Sequence, residues 1–246
     1  MSTRTPYSWR NKGMIKIAHF FLITIFICSY ALFSYALESP LITAAMQNKM
    51  TPDDALHRLQ LGNQRFVKGK PLETDFIKKA QLSASGQYPV SVILSCIDSR
   101  VPPEIVFDQN IGNVFVARAA ANVISDDVLG GLEFATQVSG AKLIVVMGHD
   151  ACGAIRGACE NVKLGYLTQL LAKIQPSIRQ TTTNLGKKDC QSAQFINQAA
   201  AENVRHIVKM IPEKSQVIRQ LVKEGKVKIV GAMYELHTGR VVFLNN

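Results

Sequence analysis

Apolar residues fall along this chain in two kinds of pattern. Four short runs are predominantly apolar: Val90–Ser95, Val114–Ala117, Leu143–Met147 and Val227–Met233. They are rich in Val and Ile and do not alternate with polar residues. A strand with one wet face alternates, whereas a strand covered on both faces does not, so these runs predict a parallel sheet packed between helices. Helical stretches separate several of them: Asp126–Val138, with Leu129, Leu132, Glu133 and Thr136 on a mixed face, then Ala199–Met210 and Lys214–Lys223. Upstream, Leu56, Leu59 and Phe66 recur at roughly helical spacing. Thr51-Pro52-Asp53-Asp54 supplies the start of that helix: a capping hydroxyl, a proline suited to the first turn, and acids facing the positive end of the dipole. Glu235–Val242 reads as a turn at Thr238-Gly239 leading into a last strand, and the polar stretch 180–194 reads as a loop around Gly186. The order is that of an α/β fold. It comprises a central, mostly parallel β-sheet of four strands plus a C-terminal edge strand, flanked by helices, with an N-terminal helical arm.

The N-terminus has a different character. Lys12 and Lys16 precede the apolar stretch Phe20–Phe33, and no charge follows until Glu38. Ser34-Tyr35-Ala36 places small residues where a signal peptide is cut, after Ala36. Residues 1–36 therefore read as a signal peptide, 37–50 as a linker and 51–246 as one domain. An uncleaved anchor is the alternative, since Ile17–Ala36 is just long enough to span a bilayer; membrane association follows only in that case. Either way the domain is expected to be periplasmic or otherwise exported. Cys159 and Cys190 then either pair or stand as separate thiols, and the sequence does not decide between them.

The net charge of +10 includes four positive residues in the N-terminal segment, Arg4, Arg10, Lys12 and Lys16. What remains is modest for a domain of this size. With no Lys/Arg run longer than two residues, it argues against a nucleic-acid partner.

Candidate chemistry lies at two strand ends. Cys96 closes the first strand, in Cys96-Ile97-Asp98-Ser99-Arg100, and His149 and Cys152 close the third, in His149-Asp150-Ala151-Cys152-Gly153. The carboxyl ends of parallel strands form the functional rim of such sheets, so two thiols and an imidazole can meet there. Three protein ligands of this kind suit a tetrahedral Zn2+ with one position left open. Asp98 follows a ligand by two residues, and Arg100 can hold it in a bidentate pair that lowers its pKa and orients it as an acceptor. Taken singly, each residue has a plainer reading as a buried thiol, a satisfied imidazole or a turn; their joint placement carries the weight.

These two motifs, together with Arg118-Ala119-Ala120-Ala121-Asn122 and the closing Gly225-Lys226-Val227-Lys228-Ile229-Val230-Gly231, resemble the β-class carbonic anhydrases over roughly residues 51–244. The resemblance implies an enzyme that interconverts carbon dioxide and bicarbonate by zinc-bound hydroxide. It implies one Zn2+ per subunit on Cys96, His149 and Cys152, with Asp98 either orienting the nucleophile or closing the site as a fourth ligand. It also implies substrate contacts from Gln87, Phe115 and the backbone of Gly153. The family builds its site at a dimer interface, so a homodimer or a dimer of dimers is expected, with Gln87 reaching the partner's zinc and the arm around residues 51–68 wrapping the partner. Phe134 stands where plant members carry tyrosine. Ile93 and Ser95 stand where bicarbonate-inhibited members carry tryptophan and glycine, which implies that such inhibition is absent. The same zinc ligands also serve hydrolases of carbonyl sulfide or carbon disulfide, which assay with each substrate distinguishes. A non-catalytic zinc scaffold is disfavoured by the presence of both Asp98 and Arg100, and a thiol redox protein by the lack of Cys-x-x-Cys.

Overall fold

The computed structural model describes residues 41–244. The apolar segment Phe20–Phe33 and its cleavage signal lie outside them. Five strands form one sheet: β1 Ser91–Ser95, β2 Val114–Arg118, β3 Leu143–His149, β4 Lys228–Tyr234 and β5 Val241–Phe243. Their spatial order is β2-β1-β3-β4-β5. The first four run parallel and β5 pairs antiparallel with β4. β1 and β3 are buried along their whole length, which is why their sequences lack alternation. β2, at the edge, is half exposed.

Among the described residues, ten α-helices flank the sheet: α1 Ala44–Lys49, α2 Pro52–Val67, α3 Phe76–Ser83, α4 Pro103–Val106, α5 Asp126–Glu133, α6 Gly153–Cys159, α7 Gly165–Ala172, α8 Gln175–Leu185, α9 Ala193–Lys214 and α10 Gln216–Lys223. Successive strand residues point to opposite faces. Ile93, Val145 and Met147 therefore pack with Leu59 of α2 and with Phe107, while Val92, Leu94, Ile144 and Val146 pack with Leu132, Val204, Ile207 and Ile218. The expected arm begins as its sequence requires, because Thr51 and Asp54 exchange capping hydrogen bonds. Its inner face is buried against its own chain. A Cβ on Gly62 would lie 1.8 Å from the Phe107 carbonyl oxygen, so only glycine lets α2 approach this closely. Asn63 then ties the helix to β5, accepting from the Val241 amide at 2.9 Å.

Two expectations are corrected and two are refined. The stretch read as linker, 37–50, contains α1: Thr43 caps it, and buried Gln47 donates to the carbonyls of Pro89 and Ser139. Within the supposed loop 180–194, residues up to Leu185 belong to α8, and its threonines return their hydroxyls to carbonyls four residues back. Asp126–Val138 is helical throughout but loosens into a π turn over Phe134–Val138. Ala199–Met210 is the middle of the much longer α9.

The strand order positions the site. From β1 the chain moves to β2 on one side and then lays β3 on the other, so the connections leaving β1 and β3 diverge. A crevice opens between their carboxyl ends, as at the switch point of any open parallel sheet. β1 and β3 pair in register at Ser95 and Met147. Cys96 therefore emerges at the rim beside the end of β3.

Candidate metal centre

One ligand atom each from Cys96, His149 and Cys152 lie within 4.8 Å of one another, and all three side chains are buried. Cys96 comes from the end of β1, His149 from the last residue of β3, and Cys152 from the cap of α6. His149 Nδ1 lies 2.8 Å from the Asp150 carbonyl. A carbonyl can only accept, so Nδ1 carries the proton and Nε2 turns its lone pair toward the sulfurs. That Nε2 is buried and has no hydrogen-bond partner. An orphaned buried polar atom costs about 1–3 kcal/mol. A structural zinc site in a small peptide is worth about 10–16 kcal/mol, so a metal on these donors removes the penalty many times over.

The electrostatics point the same way. Cys96 is lowered to about 4, chiefly by a hydrogen bond from Cys152, against the effect of burial. The same bond pushes the Cys152 thiol up. The shared bond thus favours thiolate character on Cys96, and thiolate is the form that binds metals. Burial disfavours a proton on His149, yet the neighbouring Cys96 prevails and raises it.

Asp98 stands outside the three-donor cluster. Arg100 donates to both of its carboxylate oxygens, from Nε at 2.9 Å and from Nη2 at 2.8 Å, and the Arg100 amide adds a third bond at 3.0 Å. Arg100 thereby holds the Asp98 carboxyl well below the usual range. Asp98 Oδ2 is 3.8 Å from His149 Nε2, so the carboxylate overlooks the donors from its clamp.

Two turns at the site have unusual backbones. Ala121 and Ala151 both have positive φ, 50° and 51°. A non-glycine residue there costs about 1–2 kcal/mol, so something must hold each one. The Ala121 amide points at Cys96 Sγ, 3.4 Å away. Arg118 grips the Cys96 and Asp98 carbonyls at 3.0 and 2.5 Å. The sequence motif Arg118–Asn122 flagged this segment without giving Arg118 a role.

The expected substrate contacts divide. Gly153 lines an open cleft together with Cys96, Ile97 and Asp98, and the charged side chains Arg156 and Glu160 share its wall. Phe115 sits half-buried on β2, packed edge-on against Phe134 at 6.2 Å. Gln87 is exposed in the loop before β1. Neither Gln87 nor Phe115 lines that cleft. Behind it, Cys159 and Cys190 form a disulfide, with Cα atoms 5.6 Å apart. Sequence left that pairing open, because a contact across 31 residues has no local signature.

The chain matches the carbonic anhydrase family over residues 91–241. It is 36% identical over 197 residues to carbonic anhydrase 2 of Mycobacterium tuberculosis, covering 78% of this chain and 92% of the relative. Its fold is similar to that of the β-carbonic anhydrase of the fungal pathogen Aspergillus fumigatus, with a TM-score of 0.61 and 28% identity, over 69% of this chain and 85% of that one. It is also similar to a tetrameric β-carbonic anhydrase of the filamentous ascomycete Sordaria macrospora, with a TM-score of 0.62 and 26% identity, over 69% of this chain and 90% of that one.

Proposed function

The chain belongs to the carbonic anhydrase family, in its β class, and is a zinc-dependent lyase that hydrates carbon dioxide; from that premise we propose which residues carry the reaction. Cys96, His149 and Cys152 would hold the zinc. The observation that carries this is the buried, unpartnered His149 Nε2 in a cluster whose three ligand atoms, from Cys96, His149 and Cys152, lie within 4.8 Å of one another. Zinc bound there would supply the chemistry of making water acidic near neutral pH.

The chain's own groups do the rest. Asp98 accepts a hydrogen bond from the attacking solvent and so turns its lone pair toward carbon dioxide. Arg100 fixes the carboxylate by two parallel bonds and keeps it ionised, hence acceptor-only. The Gly153 amide is the backbone donor to the substrate oxygens. Phe115 and Phe134 supply an apolar wall for an uncharged substrate, and Gln87 supplies a polar contact from a partner subunit.

That last assignment makes assembly part of the reading: a homodimer or a dimer of dimers. Support comes from exposed Phe134 and Val138, at 52% and 71%, beside the half-exposed edge strand β2, and from the tetrameric relatives in Sordaria macrospora. Light scattering that found a fully active monomer would remove Gln87 from the site. Export through a cleaved signal is proposed as well, supported by the Cys159–Cys190 disulfide, since such bonds persist in oxidising compartments. Mature protein should begin near Leu37 and fractionate outside the cytoplasm; an intact Met1 on soluble cytoplasmic protein would contradict it.

The residue assignment is tested by elemental analysis of Cys96→Ser, His149→Ala and Cys152→Ser. Each should lose zinc together with activity. Full zinc occupancy in any one would strike that residue from the ligand set.

A further inference from the structure

Among the described residues, Ala121 and Ala151 are the two alanines in the left-handed region, and each adjoins the metal centre. Ala121 sends its amide to Cys96 Sγ. Ala151 lies between His149 and Cys152. Both are held by asparagines of the same helix. Asn203, fully buried in α9, donates from Nδ2 to the Ala121 carbonyl at 2.8 Å, and the Ser177 hydroxyl donates to its Oδ1 at 3.2 Å, which fixes the amide's orientation. Asn197, six residues earlier and half-buried, accepts from the Ala151 amide through Oδ1 at 2.9 Å. α9 also presses its Val204 side chain close to Gly148, where an added Cβ would lie only 2.7 Å from Cγ2.

The geometry points to Asn197 and Asn203 as positioning residues of the metal centre, one bracing from α9 each of the two turns that adjoin its ligands. Each offers the group its turn lacks: an acceptor for a free amide, a donor for a free carbonyl. Alanine in this conformation relaxes toward ordinary backbone once its brace is gone. Relaxation at Ala121 withdraws the amide from Cys96 Sγ. Relaxation at Ala151 changes the span between His149 and Cys152. Both loosen donors that must otherwise stay in place before the metal arrives, and groups of this kind typically contribute about 10–100-fold to metal affinity.

This inference rests on the ligand assignment above, and the experiment separates the two. Zinc affinity is measured by chelator competition on wild type, Asn197→Ala, Asn203→Leu and Ser177→Ala, together with the thiolate-to-metal absorption band of the cobalt-substituted proteins. Wild type should bind one zinc per chain with a thiolate band; absence of that band overturns the ligand assignment itself. Asn197→Ala and Asn203→Leu should each bind zinc at least tenfold more weakly, and Ser177→Ala less so but in the same direction. Asn203→Leu and Ser177→Ala should also shift the band to longer wavelength, because the sulfur loses its amide. Ile207→Ala, which thins the core under the same helix, should lower thermal stability and leave affinity and band unchanged. Ala151→Gly should shrink the effect of Asn197→Ala, since glycine needs no brace at positive φ. Asn197 is half-buried, so its variant remains testable even where Asn203→Leu fails to fold. Wild-type affinity in Asn197→Ala, or a penalty undiminished by Ala151→Gly, would overturn the inference.

Discussion

The metal side and the substrate side of this site are built differently. Cys96, His149 and Cys152 are buried and gathered by one chain at the switch point between β1 and β3. Gln87 and Phe115 are dispersed, the first exposed in a loop and the second packed on Phe134 at the sheet edge. Metal binding needs fixed donors, and a rigid sheet rim with braced turns provides them. Enclosing a small neutral substrate needs walls on several sides, and a half-exposed edge strand provides only one. The difference teaches that this chain gathers its metal donors alone, whereas the proposed substrate contacts rest on the proposed assembly.

The comparison can be broken most severely at the ligands. Replacing Cys96, His149 or Cys152 should abolish zinc binding and take hydration to background, as read by metal analysis beside stopped flow. Asp98→Asn comes next. It removes the acceptor charge but no member of the donor cluster, so zinc should stay while hydration falls about 10²-fold, within the usual range for a positioned catalytic group. Loss of zinc in Asp98→Asn would move that residue into the ligand set.

Gln87→Ala sharpens the other half. It should keep zinc and fold, and lower kcat/KM about tenfold, the worth of one hydrogen bond. A wild-type value in the assembled enzyme would show that the loop before β1 takes no part. The smallest effect concerns regulation. Ile93 and Ser95 are fully buried in β1, so neither an indole N–H nor a bare backbone is offered to a second anion there. Initial hydration rate against added bicarbonate, at fixed pH and ionic strength, should fall without sigmoidicity. A steep cooperative loss would show that other residues build the inhibitory site.

What the sequence displayed follows the same division. β1 and β3 were legible because burial on both faces leaves an unbroken apolar run, and the ligands were legible because they close those runs. The Thr51–Asp54 start of α2 was legible because a capping box is local. The remainder depends on distant partners. Gln47 looks like linker until Pro89 and Ser139 accept its amide. The far end of α8 looks like loop because its threonines satisfy themselves on their own helix. Asn197 and Asn203 are invisible to a hydrophobic pattern, since their importance comes from two strained turns that the pattern does not record.

The most direct measurement is stopped-flow hydration of carbon dioxide by the purified protein as isolated, after removal of zinc by a chelator, and after zinc is restored. Activity should track zinc, reaching its full value at one metal per chain, disappearing in the stripped protein and returning on reconstitution. Undiminished hydration by zinc-free protein, or none by protein carrying its full zinc, would contradict the account.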